Sequence, residues 1–152
     1  MEITIKKTFN ITDEQLDDIM CTALEGGITY WCSEAKVVGD YLGEYAHEQI
    51  ARGGQLILSD SEEGTTHELN KEKLLKGLEL YLSNGGAAEI ADGDTIDTSE
   101  VDAIAADEIV QYALFGERHL RVRRLWADTS TTTAAERLPV SKAQQATALP
   151  GQ

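Results

Sequence analysis

Leu16, Ile19, Met20, Ala23 and Leu24 recur at i, i+3, i+4, i+7 and i+8, which lays one apolar stripe along a helix. Thr12 stands before the stripe as an N-cap, with Gln15 three residues on to close a capping box and Ile11 placed to staple onto Leu16. Asp13, Glu14, Asp17 and Asp18 occupy the other side, a solvated face whose first two members suit the helix dipole. Gly26–Gly27 reads as a left-handed stop. Ahead of this helix, Ile3, Ile5 and Phe9 alternate with Glu2, Thr4, Lys6 and Thr8, the period of a strand. Behind it, residues 28–38 read as a second strand, so Tyr30 and Trp31 should face opposite ways, one inward and one toward an outer face or interface.

The pattern continues with a short helix over 43–52 ending on Gly53–Gly54, then a hairpin in which "QLILS" and "TTHEL" flank "DSEEG". Asn70 caps a helix running to about Ser83, with Leu74, Leu75, Leu78, Tyr81 and Leu82 inward, before the stop Asn84–Gly85–Gly86. "EIADGDTID" reads as a loop. Asp92, Asp94 and Asp97 faintly resemble a calcium loop, but the glycine and closing glutamate are out of register, so no metal is expected, and Asp97 reads as a cap with Glu100 as its partner. The last helix, about Ser99 to Phe115, is apolar nearly all round. It is therefore buried, or buried on one side and self-associating on the other, and a dimer or larger assembly through it is expected. The predicted class is α+β: an antiparallel sheet of three or four strands with helices on one face, in the order strand, helix, strand, helix, strand, strand, helix, helix.

Residues 1–117 form the predicted domain, and residues 118–152 a basic, then Thr-, Ala- and Gln-rich extension expected to be flexible. The net charge of −14 is uneven, because the segment from Arg118 carries +4 and leaves −18 on residues 1–117. So acidic a body is repelled by nucleic-acid phosphates, which argues against a general DNA or RNA binder. It allows docking on a basic partner or a ligand site that is a local basic exception. No apolar run approaches a membrane span and the first residues lack a signal-peptide core, so a cytoplasmic protein is expected. Cys21 and Cys32 read as reduced thiols, with no metal-ligand spacing around them.

Catalytic signatures are absent from the sequence: there is no GxSxG, no HExxH, no phosphate-binding glycine loop, and His47, His67 and His119 are scattered. No enzymatic activity and no cofactor are expected. What remains is a binding inventory. Tyr30 and Trp31 offer stacking surfaces, and Arg52, the only arginine before residue 118, offers either a phosphate contact or a cation for its helix end. Gln111 and Tyr112 are weaker polar candidates.

Three stretches, "TALEGGITYWC", "HELNKEKLLKGLELYL" and "DEIVQYALFGE", resemble a family of small acidic proteins from phages and prophages of Gram-positive gut bacteria, over about residues 1–117. Within that setting the chain is most similar to the Thoeris counter-defence sponges. The resemblance implies an oligomeric protein of the infected host's cytoplasm that sequesters cyclic ADP-ribose isomers or cyclic oligonucleotides without cleaving them. Family chains end shortly after a "YALFGE"-like motif, so the residues beyond Glu117 depart from the pattern. Two alternatives stand beside this one: an acidic anti-CRISPR protein that presents carboxylates to the basic channel of a CRISPR nuclease, and an ordinary phage structural or regulatory protein.

Overall fold

Thr12 starts helix α1 (Asp13–Thr22) through the reciprocal box that its sequence announces. Its Oγ1 accepts from the Gln15 amide at 3.1 Å, and Gln15 Oε1 accepts from the Thr12 amide at 2.9 Å. The structure, a computed structural model, describes residues 1–116; the 118–152 extension expected from composition lies outside the described residues. After α1 come strand β1 (Cys32–Val37), the hairpin β2 (Leu56–Asp60) and β3 (Thr65–Leu69), helix α2 (Lys71–Tyr81), the short helix α3 (Ala87–Ile90), the small hairpin β4 (Ala91–Asp92) and β5 (Thr95–Ile96), and helix α4 (Ala103–Phe115). The architecture is α+β, with an antiparallel sheet in the order β1-β2-β3 and a separate two-stranded sheet. No helix among the described residues is long and apolar enough to cross a membrane.

The core lies between the helices and the inner face of the sheet. Leu56 and Leu58 of β2, Leu16, Ile19 and Met20 of α1, Leu74 and Leu78 of α2, and Ile109 and Val110 of α4 are all buried in it. Helices α2 and α4 approach closely at Gly77, where a Cβ would stand 2.5 Å from the Ile109 carbonyl oxygen and 2.7 Å from the Ala113 Cβ. Asn70 caps α2 by accepting from the Lys73 amide at 2.9 Å, and Gly85, at φ 106°, ends the turn that follows.

Several elements differ from the sequence expectation. The alternating N-terminal segment is not a strand: it joins no sheet among the described residues, Ile3 is 83% and Ile5 79% exposed, and only its end is tied down, by the Asn10 amide donating to the Asp94 carbonyl at 2.7 Å. Alternation supplies the two faces of a strand but no partner, and this segment has no hairpin neighbour to pair with. Gly26 and Gly27 are not a left-handed stop. The helix widens into a π-type turn over Ala23–Gly27, neither glycine has positive φ, and Gly27 is required because a Cβ there would lie 2.8 Å from the Ala103 carbonyl oxygen of α4. The 28–38 strand shrinks to β1, and the 43–52 helix to a single 3-10 turn, Ala46–Glu48. The expected loop holds α3, β4 and β5. Asp97 caps a 3-10 turn at Thr98–Glu100, whereas α4 begins four residues later with Asp102 as its cap, accepting from the Ala105 amide at 2.8 Å. The run Ala105–Ala113 is buried throughout, with Ile104, Leu114 and Phe115 half-buried at its ends.

Candidate functional site

Tyr30 and Trp31 sit on the turn between α1 and β1, not on a strand. The Trp31 carbonyl is clamped by Ser61, whose amide and hydroxyl both donate to it, at 2.8 and 3.0 Å. From that turn the two side chains converge on Asp107 of α4. Trp31 Nε1 donates to Asp107 Oδ1 at 2.8 Å, and the Tyr30 hydroxyl donates to Oδ2 at 3.0 Å. Gln111, one helical turn after Asp107 and so on the same face, adds Nε2 to Oδ2 at 2.7 Å and approaches the Tyr30 hydroxyl at 3.2 Å.

Asp107 and Gln111 are buried. A carboxylate in such a place is costly unless donors replace its water, and three neutral donors do so here. The network fixes both rings. Trp31 is fully buried, so its faces are not accessible for stacking, while Tyr30 keeps 40% exposure with its hydroxyl anchored. Gln111 Oε1 is buried and accepts no hydrogen bond from the described residues. Of the five residues nominated from sequence, Tyr30, Trp31 and Gln111 thus come together.

Arg52 and Tyr112 lie apart from this group. Arg52 Nη1 reaches Asp17 Oδ2 of α1 at 3.4 Å and the Glu48 carbonyl at 3.2 Å. Its charge therefore serves an intramolecular ion pair as well as the end of a helical turn. Tyr112, next to Gln111 in sequence but turned about 100° around the helix, is buried and lines an open groove with Ile5, Phe9, Leu75 and Leu82.

A second polar network, with no counterpart in the sequence reading, shapes the loop after β1. Glu48 Oε1 accepts from the Glu44 amide at 2.6 Å and the Tyr45 amide at 3.2 Å, and these two bonds hold the Glu48 carboxyl below its usual range. Buried Gln49 accepts from the Leu42 amide at 3.0 Å and donates to the Asp40 carbonyl at 3.1 Å. The pinned loop presents Val38, Tyr41, Leu42 and Tyr45 to solvent, with Tyr45 stacked on His47 at a centroid distance of 5.5 Å.

The carboxylates of the 92–97 segment have local uses: Asp94 accepts from Asn10 Nδ2 at 3.0 Å, and Asp97 accepts from the Ser99 amide and hydroxyl. Among the described residues, no group of three His, Cys, Asp or Glu could hold a metal ion. Asp107 went unnamed in the sequence reading, yet an acid within the apolar run "AIAADEIVQYALF" is a signal that a partner must exist. In comparison with known protein families, curated proteins and solved structures, the chain matches none.

Proposed function

We propose that this chain is a non-catalytic binding protein that sequesters a small nucleotide signal, a cyclic ADP-ribose isomer or a cyclic oligonucleotide, in phage counter-defence. The observation that carries this reading is the pairing of Tyr30 with Gln111. A half-exposed ring is immobilised through its hydroxyl, which donates to Asp107 and is approached by the Gln111 amide. A flat base stacks on such a ring. Because the ring is already fixed, binding costs little side-chain entropy. Trp31 contributes by holding Asp107, and Arg52, engaged with Asp17, adds no phosphate clamp beside Tyr30.

Calorimetric titration with cyclic ADP-ribose isomers and cyclic trinucleotides tests the reading. Binding is expected, with Tyr30→Ala weakening it roughly ten- to a hundredfold, since stacking contributes about 1–3 kcal/mol per base. The ligand should return unmodified after heat denaturation. A cleaved product would instead identify an enzyme.

One observation favours the alternative, an acidic inhibitor of a CRISPR nuclease. Hydrogen bonds from Thr98 to Asp18 at 2.8 Å and from Asn10 to Asp94 at 3.0 Å draw the 94–100 segment alongside α1. Exposed Asp18 and Asp94 are thereby brought toward one another, beside Asp13 and Asp17 that pair with Lys71 and Arg52, a local acidic cluster suited to a basic partner surface. Retention of the protein on an immobilised CRISPR nuclease, with no heat from any cyclic nucleotide, would move the conclusion to this reading.

A further inference from the structure

We propose that two copies of the chain join edge to edge through β1, in an antiparallel pair centred on Ala35 that continues the three-stranded sheet into one of six strands. Among the described residues β1 is an edge strand, paired only with β2. Its ladder direction can be read from the bond of the Val38 amide to the Gln55 carbonyl, 3.1 Å. In an antiparallel ladder alternate residues bond to the same neighbour, so Glu34, Lys36 and Val38 address β2, and Ala35 and Val37 point their main-chain groups outward.

Charge then selects the register. With the two-fold axis at Ala35, the two Ala35 residues exchange main-chain bonds, and Glu34 of each copy stands opposite Lys36 of the other. That is a pair without direct main-chain bonds, in which side chains lie closest. A two-fold axis at Lys36 would pair Ala35 with Val37 through the same outward groups, but would set lysine against lysine at the closest approach of side chains. Glu34 and Lys36 are both exposed, and neither forms an ion pair within the described residues. A lysine on an edge strand usually discourages pairing. Here the glutamate two residues before it makes the strand complementary to itself in one register and repulsive in the competing one.

The bulge between Cys32 and Glu34 keeps this ladder short, so it needs apolar area beside it. The loop after β1 supplies that area. In an antiparallel pair the exposed Val38, Tyr41 and Leu42 that follow β1 come beside the residues preceding β1 in the second copy. This is an isologous interface, in which each copy contributes the same strand and the same loop. It is a surface of self-association other than α4, whose run Ala105–Ala113 is buried.

Light scattering on the full chain at micromolar concentrations tests the proposal through Glu34→Lys, Lys36→Glu and the double exchange. The wild type should have the mass of a dimer, each single variant half that mass, and the double exchange the dimer mass again. Because both side chains are exposed, all four proteins should share one circular dichroism spectrum. A monomeric wild type overturns the proposal. So do single variants that remain dimeric, or a double exchange that fails to restore the dimer.

Discussion

Two polar networks hold aromatic side chains in this molecule, and they differ in where their partners come from. Around Asp107, the donors Trp31 and Tyr30 lie 76 and 77 residues away in sequence, and the carboxylate they share is buried. Around Glu48 and Gln49, every partner lies within nine residues, and the aromatics held there face solvent. The first network joins two ends of the fold and locks its core. The second shapes a single loop and holds apolar groups in water. Burial raises what each bond is worth: a donor stranded in the core loses its partner and has no water to replace it, whereas a stranded loop amide is hydrated at once.

The sharpest way to break the comparison is Asp107→Ala. It removes the buried acceptor that the indole N–H, the tyrosine hydroxyl and the Gln111 amide share, and should destabilise the fold by about 3 kcal/mol or more in urea denaturation. A loss below about 1 kcal/mol would mean that the network is not a stability element. Gln49→Ala comes next. Gln49 is buried but holds only a loop, so a cost of about 1–2 kcal/mol is expected, together with loss of order in residues 40–45 by amide exchange. If Gln49→Ala cost as much as Asp107→Ala, the contrast between core and loop would fail.

The smallest effect is a matter of pH. Because the folded-state pKa of Glu48 is depressed by two main-chain donors, its contribution is fully present above the ordinary glutamate range, about 4.3. That contribution is lost as pH falls through the lower folded value. The amide resonances of Glu44 and Tyr45 should therefore stay fixed from neutral pH down to the ordinary glutamate range and move only below it. Movement near neutrality would assign the loop to another group.

The same contrast explains what the sequence could disclose. Helix α1 with its Thr12–Gln15 box, α2 with its Asn70 cap and the β2–β3 hairpin depend on residues within a few positions of one another, and all three were legible. The N-terminal alternation was misleading, because a strand is defined by its partner and the partner is not written locally. Gly27 carried a signal with the wrong interpretation: the glycine is needed for contact with α4 at the Ala103 carbonyl, a neighbour 76 positions away, and not for a turn. In the candidate site, Tyr30, Trp31 and Gln111 were found by their chemistry. The residue that joins them, Asp107, was visible only as an acid out of place in an apolar helix. Arg52 and Tyr112, nominated on the same grounds, lie apart from these residues in the fold, a separation no local pattern discloses.

The distance between Trp31 and Asp107 also sets an order of events during synthesis. A ribosome delivers the N-terminal helix, the indole and the whole three-stranded sheet before the carboxylate that will receive the indole has left the exit tunnel. Gly27 and Gly77 likewise wait with open seats for the backbone of α4. Until α4 arrives, the nascent chain holds most of the described elements and none of their closure. Closure of the described fold is in that sense deferred until α4 has been made, and an arrest within α4 would leave a chain with its hydrophobic interior open to the cell.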